Sequence, residues 1–169
     1  PSVLETLKGL SFIMSGGAAF SEETGLFFSR NNVKLINGYG MSEASGAIAL
    51  GDIESPDWRY VFLIPGIGAE FRTIPEIDGA EIVLKSPSVI TGYLDNPNAT
   101  EKSFEAGQFH TGDLFRLEGV HERTGLVYLG RNDDVTKLST GEKINPFRYE
   151  TALQKNNLVT RSALISKDR

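Results

Sequence analysis

Short apolar runs alternate with glycine-containing breaks along the first fifty residues. Apolar residues at 10–14 lead into Ser-Gly-Gly-Ala at 15–18, and residues 33–36 lead into Asn-Gly-Tyr-Gly at 37–40. Between them, Ser21 precedes two acidic residues and an apolar pattern of helical spacing, which is typical of a helix N-terminus. The pattern predicts two buried strands, each closed by a glycine turn, with a helix between them.

The pattern changes after residue 60, where the apolar runs become shorter. Runs typical of β-strands lie at 68–74, 80–84 and 125–129, and Gly, Pro, Asn and Asp separate them. This arrangement predicts a small β-rich module. The predicted fold class is therefore α/β at the start of the chain, followed by a β-rich module.

A polar break at residues 132–134 separates this module from the end of the chain. After the break, the sequence predicts a short strand at 135–138, a turn at 139–141, an amphipathic helix over 146–155 and a final strand at 162–166. So short a β-α-β segment cannot bury a core of its own. We therefore predict the incomplete start of a second domain.

Charge is distributed unevenly along the 169 residues. Residues 1–130 carry 9 basic and 17 acidic side chains, whereas residues 131–169 carry 8 and 5. This change of sign coincides with the polar break and predicts a domain boundary near residue 130. The predicted parts are an α/β segment over about 1–60, a β-rich segment over about 61–130, and a hinge with the incomplete domain over 131–169.

Composition narrows the classes of function. The acidic main part lacks the concentrated Lys and Arg of a nucleic-acid platform, and no apolar run approaches the ~20 residues of a membrane span. The chain has no cysteine for a disulfide, a thiolate nucleophile or a cysteine zinc site, which mildly favours a reducing, cytoplasmic location. Its only two histidines, His110 and His121, lack a matching acidic cluster and make a poor metal site. We expect a small-molecule ligand.

Three glycine-centred segments carry groups suited to a nucleotide. Glycines at 15–18 let a ligand approach the backbone closely. Residues 37–43 combine an amide, an aromatic ring, a hydroxyl and a carboxylate, which suits a base and a Mg²⁺ ion. The aspartate of Thr-Gly-Asp at 111–113 can accept hydrogen bonds from the vicinal hydroxyls of a ribose. Taken singly, these segments also fit a strand-to-helix turn, a glycine turn with Ser42 as N-cap, and an Asx turn.

In their order along the chain, these segments resemble the adenylate-forming (AMP-binding) superfamily of acyl-CoA synthetases, non-ribosomal peptide synthetase adenylation domains and luciferases. The five matching segments lie at 15–18, 37–43, 79–94, 111–113 and 130–134. Together they are far more specific than any one of them, and the resemblance covers nearly the whole chain. It implies the C-terminal portion of the family's large domain over 1–130, followed by the start of its small α+β domain.

The resemblance also implies roles for individual residues. Ser42 stands where the family usually has a threonine that contacts phosphate, and Glu43 stands where the family ligates Mg²⁺, so these are the expected catalytic residues. Asp133 stands at the hinge about which the small domain rotates. The residues expected to bind the nucleotide are Gly17, Ala18, Asn37, Gly38, Tyr39, Gly40, Met41, Ser42, Asp113 and Arg131.

Within this set, the resemblance assigns each side chain a part of the nucleotide. Asn37 is expected to meet the edge of adenine, and Tyr39 to stack on its ring. Asp113 is expected to hold the ribose hydroxyls, and Arg131 to reach the ribose or a phosphate. Residues 44–49, which follow the nucleotide motif and include small side chains, are the expected acyl pocket.

The implied activity is ATP-dependent activation of a carboxylic acid as an acyl-adenylate, with transfer to a thiol of CoA or of a carrier protein's phosphopantetheine arm. ATP, AMP and Mg²⁺ are the implied ligands. Residues 137–146 contain one residue more before Gly141 than the commonest family pattern. This spacing is similar to long-chain acyl-CoA synthetases, carboxylic acid reductases and fungal synthetase-like reductases, and it favours a fatty or aryl acid over an amino acid.

Two family features are expected outside this sequence. The phosphate-binding loop, rich in Ser, Thr and Gly, should precede residue 1, and the lysine that drives adenylation should lie beyond Arg169. Because these groups stabilise the phosphoryl transition state, we expect little turnover from the chain alone. Two other interpretations stay open: the adenylation part of a multidomain carboxylic acid reductase, and a non-catalytic remnant that retains a nucleotide-shaped surface.

Overall fold

The computed structural model describes residues 3–7, 9–18, 21–55, 57–74, 77–138, 140–156 and 158–165. Its helices are α1 (Val3–Leu7), α2 (Glu22–Arg30), α3 (Pro97–Ser103) and α4 (Pro146–Gln154). Its strands are β1 (Ile13–Gly16), β2 (Leu35–Met41), β3 (Gly46–Leu50), β4 (Phe62–Leu63), β5 (Ala69–Ile74), β6 (Gly79–Leu84), β7 (Phe104–Glu105), β8 (Gln108–Val120), β9 (Arg123–Arg131), β10 (Thr136–Lys137) and β11 (Lys143–Ile144). Over these ranges, no helix has the length and apolar content needed to cross a membrane.

The chain divides into two compact units, each assembled from three separate segments. The first unit contains residues 1–68, 86–92 and 118–127, and the second contains residues 69–85, 93–117 and 128–169. The long strands β8 and β9 contribute residues to both units. The domain boundaries predicted near residues 60 and 130 stay predictions.

The first unit is built on a four-stranded sheet of order β1-β2-β3-β4. Strands β1 and β2 run parallel with α2 between them in sequence, whereas the other neighbouring pairs are antiparallel. Helix α2 begins as predicted, because Ser21 Oγ accepts a hydrogen bond from the Thr24 N–H at 3.2 Å. It ends at Arg30, and Asn31 is its C-cap.

Residues 37–40 form strand rather than the predicted closing turn. Strand β2 continues to Met41 because β3 returns alongside it in antiparallel pairing. The pairing includes a β-bulge at Tyr39 and Gly40. A Cβ on Gly40 would overlap the carbonyl oxygen of Gly46, so glycine at position 40 permits the close approach of β3. Glycines that indicate a turn in the sequence therefore serve here to bring two strands together.

Among the described residues, no α-helix separates β2 from β3. A single 3-10 turn at Ser42–Ala44 leads directly into β3. Met41 is the N-cap of this turn and provides no side-chain hydrogen bond to it. Ser42 is therefore not the N-cap that the alternative interpretation of this segment required.

The second unit contains a sheet of order β5-β6-β8-β7, with β9 paired to β8. Its core includes Ile77, Leu114 and Leu129, against which Ile74 and Val135 pack. Fully burying side chains of this size contributes about 1.5–3 kcal/mol each. The β-rich character predicted for this part of the chain is confirmed, although the sequence pattern missed helix α3 and the 13-residue strand β8.

The end of the chain contains the predicted helix but not the predicted last strand. Asn145 caps α4 by accepting a hydrogen bond from the Phe147 N–H at 3.0 Å. No strand forms over 162–165, the described part of the predicted strand. The backbone N–H of Leu164 instead donates to the Glu150 carboxylate of α4 at 2.9 Å, so a helix side chain provides the hydrogen bond that a neighbouring strand would have supplied. Ser139, in the predicted turn, and Ser166 lie outside the described residues.

Candidate functional site

The first two glycine segments are neighbours in the first unit. Parallel pairing of β1 with β2 places Ser15 opposite Asn37 and Gly16 opposite Gly38. A Cβ on Gly16 would lie 2.9 Å from the Gly38 carbonyl oxygen, which makes glycine necessary for this approach. Both segments thus reach the carboxyl end of a parallel strand pair, the position at which α/β sheets bind ligands.

The backbone and side chains at this strand end suit a planar ligand. Gly17 adopts φ +83°, and both Gly17 and Ala18 are exposed. Asn37 and Tyr39 lie two residues apart on β2, so they project from the same face of the strand. Both are half-buried. An amide beside an aromatic ring can contact the edge and the face of a nucleotide base.

The 3-10 turn after β2 presents the hydroxyl and the carboxylate of the motif. The Ser42 side chain is exposed, and Glu43 is half-buried. The turn is anchored within the first unit, because the Glu43 carbonyl accepts a hydrogen bond from the Ile90 N–H at 2.8 Å. Ser45, at φ +61°, donates from its hydroxyl to the Ser88 carbonyl at 2.8 Å.

The expected acyl pocket at residues 44–49 is only partly accessible. Ala44, Ile48 and Ala49 are buried in the core of the first unit. Gly46 and Ala47 are exposed, so these two positions offer the open surface within the segment.

The Thr-Gly-Asp segment lies inside strand β8, in the second unit, rather than in an isolated turn. The pairing of β6 with β8 joins Glu81 to Leu114 and Val83 to His110. Three residues, 111–113, therefore stand opposite a single residue of β6, and the strand contains a bulge at this point. Gly112 adopts φ +69°, a left-handed conformation that favours glycine.

Hydrogen bonds to side chains stabilise this bulge. The Thr111 hydroxyl donates to the Ile82 carbonyl at 2.7 Å and accepts from the Asp113 N–H at 3.1 Å. The Gly112 N–H donates to Glu81 Oε1 at 2.9 Å. Because these groups replace the ladder partners that the bulge lacks, its backbone holds a defined conformation.

Asp113 is buried at the end of the bulge and is held by residues of β9. Arg131 Nη1 donates to Asp113 Oδ1 at 3.1 Å and to the Thr111 carbonyl at 2.8 Å. Its Nη2 lies 3.3 Å from Asp133 Oδ2. The Tyr128 hydroxyl donates to the same Asp113 oxygen at 3.4 Å. The structure thus brings the predicted residues Asp113, Arg131 and Asp133 into one hydrogen-bonded group.

Burial and charge set the ionisation of this group. Burial, together with the Asp113 charge, raises the pKa of Tyr128 to about 12, so the phenol remains a hydrogen-bond donor at neutral pH. Burial by itself lowers the pKa of the Arg131 guanidinium. The carboxylates of Asp113 and Asp133 together have the larger effect, so the pKa of this guanidinium is raised.

Glu81 is a buried residue of this region to which the sequence assigned no role. It is 4% exposed, and its Oε2 lies 3.3 Å from His110 Nδ1. The sequence did contain a signal, since Glu81 is the one charged residue in the otherwise apolar strand β6, and a buried carboxylate requires polar partners. Glu81 and His110 line a cleft of about 740 Å³ in the second unit, together with Gly112, Arg131 and Asp133.

The remaining predicted residues lie in the first unit: Gly17, Ala18, Asn37, Gly38, Tyr39, Gly40, Met41, Ser42 and Glu43. In the part of the chain that the structure describes, no three His, Asp or Glu side chains form a cluster that could hold a metal ion. A metal ion bound by one of these residues would need further oxygen atoms from molecules bound with it.

The chain is similar in sequence to proteins that activate acyl groups, although no protein-family model matches it. It is 30% identical over 174 residues to a probable acyl-activating enzyme 16, chloroplastic, of Arabidopsis thaliana, a match that covers 92% of this chain and 24% of that protein. Further curated relatives carry the names of acyl-CoA ligases, an acyl-carrier-protein ligase and an adenylate-forming reductase. The chain spans a quarter or less of the length of these relatives.

Solved structures give the same likeness. An ATP-bound RpMatB-BxBclM chimera matches with a TM-score of 0.80 and 26% identity, over 96% of this chain and 33% of that chain. The A domain of a carboxylic acid reductase from Segniliparus rugosus, solved with AMP and a co-purified carboxylic acid, matches with a TM-score of 0.72 and 26% identity, over 94% and 25%. The predicted fold class is therefore confirmed.

Proposed function

We propose, from the premise that this chain belongs to the adenylate-forming (AMP-binding) superfamily, that the protein containing it activates a carboxylic acid with ATP and transfers the acyl group to a thiol. In the first half-reaction, a carboxylate oxygen attacks the α-phosphorus of ATP, which gives an acyl-adenylate and releases pyrophosphate. In the second, the thiol attacks the acyl carbon, and AMP leaves. The thiol belongs to CoA or to the phosphopantetheine arm of a carrier protein.

The buried carboxylate of Asp113 is the observation that carries the proposal. Arg131 and Tyr128 both hydrogen-bond to Oδ1, which fixes the orientation of the carboxylate. An ionised carboxylate is a strong acceptor for hydroxyl donors, and the two vicinal hydroxyls of a ribose suit it. Asp113 therefore holds the ribose, and Arg131 keeps the carboxylate aligned and reaches toward the ribose or a phosphate.

The residues proposed for the base and a phosphate belong to the first unit. Asn37 contacts the adenine edge, and Tyr39 contacts the ring face. The exposed backbone at Gly17 and Ala18 supports this assignment, since neither residue has a bulky side chain that would block the approach of the base. Ser42 donates its hydroxyl to a phosphate oxygen.

Glu43 is the proposed protein ligand of a Mg²⁺ ion that is bound together with the nucleotide. It is half-buried beside Ser42 on an anchored turn, and Mg²⁺ commonly takes one or two carboxylates together with phosphate oxygens. When bound, the ion neutralises charge on the phosphates. Glu43 holds it in place, and Ser42 orients the phosphate.

A fatty or aryl acid is the proposed substrate class. The spacing of residues 137–146 supports it, as do relatives named as long-chain-fatty-acid ligases. A cytoplasmic location is also part of the proposal, and the lack of cysteine supports it.

The test of the proposed activity is acid-dependent exchange of pyrophosphate into ATP by the protein that contains this chain, measured across fatty, aryl and amino acids. Exchange confined to amino acids would reject the substrate class, and no exchange with any acid would favour the non-catalytic remnant.

The adenylation part of a multidomain reductase is the second candidate. The 26% identity to the adenylation domain of a carboxylic acid reductase favours it. A carrier domain and a dinucleotide-binding domain in the same protein, with aldehyde formed from the activated acid, would select this candidate over a ligase. Release of an acyl-CoA would select the ligase.

A further inference from the structure

We infer that Glu81 is a positioning residue for the nucleotide: its buried carboxylate holds the bulge at 111–113 in the conformation that aims Asp113. The inference rests on the proposed function, because Asp113 is the residue proposed to hold the ribose. Glu81 acts through the Gly112 amide and does not itself contact the nucleotide.

The bulge requires an acceptor beside β6. Three residues of β8 face one residue of β6, so the Gly112 N–H has no ladder carbonyl opposite it. Glu81 Oε1 takes that place at 2.9 Å. Gly112 directly precedes Asp113 and adopts φ +69°. The orientation of the peptide group at Gly112 therefore determines the position of the Asp113 side chain. Without the acceptor, a donor in this part-buried bulge would lose its partner, and the peptide would be expected to rotate toward water.

Glu81 is itself held firmly. It lies in the middle of β6, between the buried residues Ala80 and Ile82. Its second oxygen faces His110 Nδ1 at 3.3 Å, and His110 Nε2 lies 3.5 Å from Glu105 Oε2. Arg72 in turn lies 3.5 Å from the same Glu105 oxygen. The half-buried His110 thus faces one side of the carboxylate, while Gly112 occupies the other.

Two substitutions distinguish the effect of the position of the acceptor oxygen from the effect of its negative charge. Glu81→Gln keeps the chain length and a carbonyl oxygen for the Gly112 N–H, and its amide can donate to His110. Glu81→Asp keeps the negative charge but withdraws it by one methylene, beyond hydrogen-bond distance of Gly112. Positioning by the hydrogen bond therefore predicts that Gln substitutes for Glu81 and that Asp does not.

The experiment measures pyrophosphate exchange in the full protein that contains this chain, with KM for ATP and kcat determined separately. Glu70→Asp, at an exposed glutamate of the adjacent strand β5, is the matched control. We expect Glu81→Gln and the control to stay within about threefold of the unmodified protein. We expect Glu81→Asp to raise KM for ATP about tenfold or more while kcat changes less, since one lost hydrogen bond corresponds to about this factor.

Stability of the protein in the presence of AMP provides a second measurement. A merely structural role would lower the melting temperature of the free variant and leave the increase caused by AMP unchanged. We expect Glu81→Asp to lose most of the AMP-induced increase. If the Asp variant does not fold, Glu81→Met takes its place with the same expectation, since methionine fills the space without an acceptor.

Each other outcome would overturn the inference. If Glu81→Asp retains normal KM and Glu81→Gln does not, charge rather than the hydrogen bond is decisive. If both variants retain a normal KM for ATP, Gly112 needs no such partner. If both variants raise KM equally, the distance from the acceptor oxygen to Gly112 is not the determining property. An unmodified protein with neither exchange nor protection by AMP would overturn the proposed function and this inference with it.

Discussion

Arg131 Nη1 lies 3.1 Å from Asp113 Oδ1 and 2.8 Å from the Thr111 carbonyl oxygen, so one guanidinium nitrogen joins the predicted ribose-binding carboxylate to the backbone of its own bulge. The second terminal nitrogen reaches Asp133 at 3.3 Å. The planar fork of an arginine can serve these partners together, whereas a lysine offers a single charged nitrogen. The shape of the side chain at position 131, as well as its charge, should therefore affect kcat/KM for ATP.

We predict that Arg131→Lys lowers kcat/KM for ATP by about tenfold, because roughly one charge-assisted hydrogen bond is lost. Steady-state pyrophosphate exchange in the full protein measures this. Arg148→Lys, at an exposed position of α4, is the control and should leave kcat/KM unchanged. Equal values for the two variants would show that the fork geometry at 131 is unimportant.

Gly112 should not tolerate a side chain. Its φ is +69°, and a Cβ there would lie 2.8 Å from Arg131 Nη2. We predict that Gly112→Ala lowers the free energy of unfolding by about 1–2 kcal/mol through backbone strain and also displaces Arg131. Denaturant unfolding with and without AMP measures both effects. Gly119→Ala in the same strand is the control, because a Cβ there meets no heavy atom within 4 Å.

The sequence predicted local features better than pairings between distant segments. The cap at Ser21 and the helix of residues 146–154 depend on neighbouring residues, and both were correct. Residues 37–40 were misread as a turn because the strand that pairs with them lies further along the chain.

Two further results show the same limit. The sequence predicts a site at the Thr-Gly-Asp motif, but the bulge that supports this motif depends on Glu81, about thirty residues earlier, so this partner could not be predicted from local spacing. The wrongly predicted last strand has β-type composition, but its backbone bonds to Glu150 of α4 instead of to a strand.

Trp58 packs against Gly25 of helix α2 in the first unit. A Cβ on Gly25 would overlap the Trp58 ring. Alanine normally stabilises a helix relative to glycine by about 1 kcal/mol, but here we predict that Gly25→Ala destabilises the protein by about 1–3 kcal/mol through overpacking. Denaturant unfolding measures the change.

The matching control repeats the substitution in a Trp58→Ala background. With the ring removed, Gly25→Ala should become neutral or stabilising, so the effect reverses sign. A Gly25→Ala change that is equally destabilising with and without Trp58 would contradict this packing.

Alkaline pH should destabilise the second unit through Tyr128. Burial and the Asp113 charge raise the pKa of Tyr128 from 10.0 to about 12 in the folded protein. A raised pKa means that the folded state retains the proton longer than the unfolded state does. The stabilisation is fully present below pH 10 and is lost as the pH rises from about 10 to about 12.

Unfolding measured across this range should show a steeper loss of stability for the unmodified protein than for Tyr128→Phe. Some slope should remain in the variant, because the hydrogen bond to Glu118 also raises the pKa of Tyr60. Identical pH profiles for the two proteins would show that Tyr128 is not coupled to Asp113 in this way.

The most direct test of the account is acid-dependent pyrophosphate exchange by the full protein with Asp113→Asn, compared with Asp78→Asn at an exposed turn of the same unit. If Asp113 holds the ribose, its isosteric replacement should lower kcat/KM for ATP about 100-fold, since two charge-assisted hydrogen bonds are weakened, and Asp78→Asn should have no effect. Exchange that is unchanged in Asp113→Asn would contradict the central claim that this carboxylate binds the nucleotide.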